Sequence, residues 1–400
     1  MQVLAFLACA IAVSSRRPDA LFNAQFWGED GADWFAQAYN LGWLHALGRA
    51  GAGYLLAVPR LVASAALLVP LRLAPLLMNC VAITLQVLPV NVLLSSRCSK
   101  WGSLPIRMLY SAVYLAIPNS WEIHANITNA HSHLALVAIL LATSVPAKNL
   151  KWKAFDITIL LLGGLTGPWC IVLLPLVLVF WWRRRYPWSL VVAAIVGLCA
   201  AIQSFVLLTH TGPGARPVGQ LGASPMLLLR LLGGHVFAGA LVGHNLAVAH
   251  GRGTIIGVFV LLGGGILLYT VLKSRLEFKL FLAFCSTLLV ASLSRPIMVE
   301  APLLQWPALL NARGNRYWFF PMLAFLWSLV WCASEDQRRL VQASCAAILL
   351  TMTIGVVRDW RYAPYEDKHF QRYAEQFQAA PPGTSIVIPI NPDGWSVRLT

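Results

Sequence analysis

Charged side chains are scarce in this chain: they make up 11% of its 400 residues, and only 15 residues are acidic. An ordinary soluble domain carries about 25% charged residues because its surface faces water. A chain with less than half that share cannot cover a globule of this size with polar groups, which excludes a water-soluble fold. Paired cysteines are missing as well. Cys9, Cys80, Cys98, Cys170, Cys199, Cys285, Cys332 and Cys345 form no C-x-x-C pair, and most lie within or at the edge of apolar runs. That excludes a metal or disulfide framework and leaves small buried residues. There is no internal repeat and no low-complexity stretch. Met1–Ser15 resembles a signal-peptide core, but no basic region precedes it and Arg16-Arg17 stands in place of a small-residue cleavage site. It reads as a first membrane helix, short for a span, and the true start can lie upstream.

What the chain has instead is hydrophobicity, 58% of residues, with apolar runs from Leu4 to Val357. The expected class is all-α, a polytopic transmembrane bundle of about 10–12 spans in a cell membrane, because lipid is the solvent that tolerates such a surface. Candidate spans are 1–15, 54–71, 75–95, 104–118, 133–146, 155–165, 169–182, 188–209, 254–272, 279–293, 317–333 and 340–357. Several fall short of the roughly 20 residues that a crossing helix needs. Segment 225–249 holds Arg230, His235 and His244 and reads as re-entrant or interfacial.

The net charge of +15 invites a nucleic-acid reading, which the distribution of the charge rejects. Lys148, Lys151 and Lys153, then Arg183-Arg184-Arg185, then Lys273, Arg275 and Lys279 cluster between apolar runs. That is how the positive-inside rule appears in a sequence. With 147–153, 183–187, 273–279 and 334–339 in the cytoplasm, 119–132, 210–253 and 294–316 face outward. The tail 358–400 follows the membrane domain 1–357 on that outer face. Loop 16–53, if also outside, breaks the alternation, because the basic stretch Arg97–Arg107 would then be outside too. One early segment is therefore expected not to cross fully. The tail shows a β-like run, Ser385–Ile390, and a turn signal at Pro392-Asp393-Gly394.

Three groups of residues could carry chemistry. Glu29, Asp30 and Asp33 concentrate carboxylates in five residues, flanked by Trp27, Trp34 and Trp43. Adjacent carboxylates repel, so keeping them implies water, a cation or a proton to hold. The plainer alternative is a solvated loop with Asp30 capping a helix near Ala32. The second group is Trp121–His133, with Asn126, Asn129, His131 and His133 leading into a helix. His131 and His133 lack the i, i+4 spacing of paired metal ligands; binding of sugar or phosphate fits, as does interfacial capping. The third is Arg313 and Arg316, with Arg295 upstream. On the outer side these oppose the positive-inside bias; a phosphate headgroup explains them, as does pairing with Glu300 or lipid. Arg60 sits inside an apolar run and needs a partner, either Glu29-Asp30 or a lipid phosphate.

With these residues in place, the chain resembles the GT-C superfamily of polytopic glycosyltransferases and an uncharacterised bacterial membrane-protein group similar to it. Phe26-Trp27-Gly28-Glu29-Asp30-Gly31 carries the resemblance, with Gly53-Tyr54, Pro59-Arg60, Asn126–His133 and Ile388–Trp395. It implies a sugar moved from a polyprenyl-phosphate donor to an acceptor at the extracytoplasmic face of the inner membrane. Asp30, with Glu29 beside it, matches the acidic first-loop residue that serves as base or metal ligand. Arg313 and Arg316 are donor-phosphate candidates by location, and Arg60, Asn126, Asn129, His131 and His133 complete the expected substrate set. No cofactor is fixed; a divalent cation, Mg or Mn, on Glu29 and Asp30 stays open, as does oligomeric state. The large soluble C-terminal domain of some GT-C enzymes is missing. Competing readings are a polysaccharide polymerase or ligase, a lipid or solute transporter, and a non-catalytic assembly factor. Spans almost free of charge outside Arg60 disfavour ion coupling.

Overall fold

The computed structural model describes residues 2–210, 219–243, 253–299, 302–310 and 314–400, and the chain is mostly helical. In order it runs α1 (Gln2–Arg16), α2 (Asp19–Phe22), a π-helix (Asp30–Phe35), α3 (Ala36–Leu41), α4 (Trp43–Leu47), a short hairpin β1–β2 (Ala50–Gly51, Tyr54–Leu55) and α5 (Ala57–Ala66). Then come α6 (Ala74–Leu94), α7 (Leu104–Leu115), α8 (Ala130–Ala142), α9 (Leu150–Gly164), α10 (Trp169–Arg184) and α11 (Pro187–Thr209). Next follow α12 (Pro225–Leu231), α13 (Gly239–Val242), α14 (Gly253–Lys273), α15 (Leu276–Ser294), α16 (Gln305–Ala308), α17 (Phe319–Glu335) and α18 (Arg339–Asp359). The tail folds as α19 (Phe370–Ala379) and the antiparallel hairpin β3–β4 (Ile386–Ile390, Trp395–Leu399).

Six helices among the described residues are long and apolar enough to cross a membrane: Leu71–Leu94, Pro187–Thr209, Pro225–Val242, Gly253–Lys273, Leu276–Ser294 and Arg339–Asp359. The chain is thus a multi-pass helical membrane protein, and among the described residues fewer helices reach full span length than the ten to twelve spans expected. Four further apolar helices are shorter. Proline opens α6, α7, α11 and α12, where its missing N–H costs nothing. The side chains of Asn149 and Ser224 cap α9 and α12. The core centres on α17, buried along nearly its whole length, with Trp327 packed on Tyr110, Phe281 and Trp101.

Contacts sort the loops onto two ends. At the basic end Val145 N donates to the Arg97 carbonyl and Arg97 pairs with Asp156, Arg184 pairs with Glu277, and Arg275 with Glu335. At the opposite end, the site end, Arg16 donates to the Leu115, Ile117 and Asp359 carbonyls, and Asn119 N donates to Asp359.

The broken alternation is resolved at α5. Segment 54–71, expected to span, forms a helix of only ten residues. Ala57 N donates to the Leu165 carbonyl at its start, and Gln371 of the tail donates to the Arg72 carbonyl after its end. Both ends of α5 therefore lie at the site end, and Arg97 reaches the basic end through α6 alone. Pro70 and the buried Arg60 interrupt what hydropathy reads as a continuous run. The 225–242 segment also begins and ends there: Leu221 O accepts from Trp306 N, His235 stacks on Trp318, and Gly243 packs beside Asp359. Residues 244–249 of that expected segment lie outside the described residues.

The tail is not a free appendage. Phe26, Trp34 and Phe35 of the first loop share one apolar cluster with Phe370, Ile388, Ile390, Val397 and Leu399. Gly28 N donates to the Asn391 carbonyl at 2.6 Å, and Asn391 N to the Phe26 carbonyl at 3.3 Å. Gly31 is a required glycine, since a Cβ there would stand 2.6 Å from the Val397 side chain.

Candidate functional site

The π-helix turns its first residue inward. Asp30 is 1% exposed, and its carboxylate accepts the N–H groups of Ile127 (3.0 Å) and Thr128 (2.8 Å) and the Thr128 hydroxyl (2.5 Å). Trp34 Nε1 donates to the same Thr128 oxygen at 2.8 Å. Asp30 thus caps a segment almost a hundred residues away in sequence, neither its own helix nor a solvated loop. Burial pushes its carboxyl up to about 7, against those three hydrogen bonds, which favour the anion.

Glu29, one residue earlier, is half-buried; its carboxylate accepts from its own backbone N–H, and no other residue bonds or pairs with it among the described residues. Burial raises its carboxyl above the ordinary range; its own backbone N–H and then Arg316 pull it down, while Asp33 and Glu122 add to the rise. Arg316 pairs with Glu122 and donates its own backbone N–H to the other Glu122 oxygen at 3.2 Å. Its second guanidinium nitrogen donates to the Ile297 carbonyl at 2.7 Å, and the group lies 4.8 Å from the centre of the Tyr317 ring. Its partner is Glu122; Glu300, the alternative, lies outside the described residues, as does Arg313. Two carboxylates therefore share one guanidinium: Glu122 is bonded to it, and Glu29 feels it only at a distance.

Asp33 extends the carboxylate row. It accepts from Gln37 at 3.4 Å, and Gln37 accepts from Arg60 at 3.1 Å. Arg60 is buried over the Trp34 ring, 4.9 Å from its centre, and reaches the Ala50 carbonyl at 3.5 Å. The expected partners Glu29 and Asp30 are not the ones it bonds.

The Trp121–His133 segment is knitted internally. Asn126 donates to the Glu122 and His124 carbonyls and accepts from Asn129 N and Nδ2; Asn129 donates also to Glu122 O. Both amides thus hold the loop that presents Glu122. His133 is buried, with one ring nitrogen on the Tyr114 hydroxyl (2.8 Å) and the other on the Ile123 carbonyl (3.1 Å). His131 is half-buried, with Nδ1 on the Thr128 carbonyl at 2.9 Å, and it lies within the electrostatic reach of Arg316. A neutral His131 must donate from Nδ1 to that carbonyl, so Nε2 is left as an acceptor.

Among the described residues no three His, Cys, Asp or Glu side chains converge as a metal centre. Donors also occupy both oxygens of Asp30, so Glu29-Asp30 does not fit a two-carboxylate cation site. A cavity of about 400 Å³ lies between Phe35, Tyr39 and Leu71 on one side and Phe377, Pro381 and Thr400 of the tail on the other, and neither Glu29, Asp30 nor Arg316 lines it.

Glu29, Asp30, His131 and Arg316 meet at the site end, and Arg60 joins through Gln37 and Asp33. Glu122 was not among the residues expected from sequence, although it is the lone acid of loop 119–132 and stands opposite an outer arginine that needed a partner. No family model, curated protein or solved structure matches the chain. The class that fold and site define is a multi-pass membrane protein with a carboxylate–guanidinium centre at one end.

Proposed function

We propose that the chain is a GT-C-type membrane glycosyltransferase, moving a sugar from a polyprenyl-phosphate donor to an acceptor hydroxyl at the extracytoplasmic face. The observation that carries the reading is Glu29, a half-buried carboxylate that accepts from its own backbone N–H and from no other described residue, held in the field of Arg316. A raised carboxyl is suited to general-base work near neutral pH. In this reading Glu29 takes the proton of the acceptor hydroxyl, whose oxygen attacks the anomeric carbon. The bond from that carbon to the phosphate oxygen breaks, and the polyprenyl phosphate leaves with the electron pair beside Arg316. Glu122 positions Arg316, Asp30 positions the Thr128 turn, and His131 Nε2 accepts from a sugar hydroxyl. The base role assigned to Asp30 by sequence passes to Glu29, because the oxygens of Asp30 are already bonded. The GT-C resemblance of Phe26–Gly31 and the basic loops at the far end support the chemistry and the orientation.

The test is transfer of label from polyprenyl-phosphate sugars in proteoliposomes holding membrane acceptors. Glu29→Gln is expected to lower the rate at least ~100-fold, the usual scale for losing a general base, with the fold intact. Undiminished transfer in both Glu29→Gln and Arg316→Lys would falsify the assignment. A cysteine placed at exposed Leu41 that reacts only from the cytoplasmic side would remove the outward orientation.

A further inference from the structure

Arg16 and Arg17 end α1 side by side and are equally hidden, 2% and 4% exposed, yet their surroundings differ. Arg16 donates to the carbonyls of Leu115, Ile117, Asp359 and Trp360. Arg17 sits among ring faces, 4.5 Å from the centre of Tyr365, 5.4 Å from Tyr362 and 5.9 Å from Trp27. Among the described residues no carboxylate pairs with it, and its buried Nε has no hydrogen-bond partner. The Tyr365 hydroxyl lies against this guanidinium, and its proton has no acceptor.

A third donor faces the same ring. His124 is fully buried and meets Tyr362 edge to face, 5.0 Å between centres. Gln86 accepts the Ala125 N–H with Oε1 at 3.4 Å, so its amide N–H points at His124 Nδ1, 3.3 Å away. Burial, with Arg16 and Arg17 adding to it, holds His124 well below its ordinary range and neutral. Its one proton is therefore on Nε2, which is buried and unpartnered. A buried cation and three donors without an acceptor are costly unless something supplies the acceptor. A tetrahedral oxyanion offers both the charge and the several oxygens that donors from separate elements require.

We propose that Arg17, His124 and Tyr365 form an oxyanion site for a phosphate group, separate from the Arg316–Glu122 pair. Trp27 stacks on Tyr365 and meets Trp121 edge to face, and Trp121 directly precedes the Glu122 that pairs with Arg316. The site stands whether or not the chain transfers sugar.

The test is thermal unfolding of the full chain purified in maltoside detergent without phospholipid. Inorganic phosphate is compared with chloride at equal ionic strength, and phosphatidic acid in mixed micelles with phosphatidylcholine. Phosphate or phosphatidic acid is expected to raise the midpoint by several degrees, since a ligand that binds only the folded state stabilises it. A rise with inorganic phosphate identifies a soluble anion, and a rise with phosphatidic acid alone a lipid headgroup. Arg17→Gln is expected to abolish the rise while matching or exceeding the wild-type midpoint in chloride, because it removes an unpaired buried cation. Arg316→Gln is expected to keep the rise. The proposal is overturned if neither phosphate form shifts the midpoint, or if Arg17→Gln keeps the shift. It is equally overturned if Arg17→Gln loses as much midpoint in chloride as Arg16→Gln, because the rings alone would then be what Arg17 needs.

Discussion

Two arginine–carboxylate groups stand at opposite ends of this bundle. At the basic end Arg97 grips Asp156 with two parallel bonds of 2.6 and 2.8 Å. Its Nε donates to the Val145 carbonyl, Trp152 covers its face, and Trp188 donates to the same carboxylate. Donors and acceptors balance, both groups are buried, and nothing is left to bind. At the site end Arg316 faces Glu122 and lies in the field of Glu29, and Glu29 is bonded by nothing but its own backbone N–H. A balanced pair is a rivet between α9 and the loop after α6. An unbalanced one is kept at a cost to stability, which is the mark of a group with another task.

The rivet gives the largest expected effect. Arg97→Ala strands a buried carboxylate and is expected to cost about 3–5 kcal/mol, read as a lowered unfolding midpoint in detergent. The apolar double variant Arg97→Met/Asp156→Leu should recover most of it; no recovery would show that the pair does more than hold helices together.

Asp30→Asn comes next, at about 1–3 kcal/mol, because its amide cannot accept from every donor now on the carboxylate. Here pH sharpens the contrast. With the carboxyl at about 7 in the folded chain against an ordinary 3.8, the folded state holds a proton that the unfolded state releases. The stabilisation is complete below about 4 and is lost as pH rises through about 7. Denaturation followed from pH 4 to 8 should show that decline in the wild type and its absence in Asp30→Asn.

Trp34→Phe removes the bond to the Thr128 oxygen, worth about 0.5–1.5 kcal/mol in the same assay, together with part of the ring face on which Arg60 lies. Glu29→Gln should be the mildest, within about 0.5 kcal/mol of wild type, although it is the variant expected to end transfer. If Glu29→Gln destabilises as much as Asp30→Asn, the distinction between a carboxylate that ties two segments and one bonded only to its own backbone fails.

Helices were legible where a long run decides the matter, as in α6, α11, α14 and α18, because apolar length is a local property. Segment 54–71 was misread as a span because hydropathy does not register that Arg60 turns toward Gln37 and the Ala50 carbonyl rather than lipid. Glu29, Asp30 and Arg316 could be singled out by rarity and position. Their roles could not, since the donors that occupy Asp30 come from residues 127 and 128, and Glu122 meets Arg316 across nearly two hundred residues. The odd alternation was itself a readable signal that one early segment stays at one end. The docking of the tail left no local trace beyond the β-like run at Ser385–Ile390.

That docking has a consequence for biosynthesis. Phe26, Gly31 and Asn40 emerge from the ribosome early, whereas Asn391, Val397 and Arg398, which cover and bond them, are translated some 360 residues later. The first loop must wait, its apolar side uncovered, through the insertion of every helix between. A nascent chain stalled before residue 386 should therefore recruit holding chaperones at its first loop, and the site end assembles last although its acids are made first.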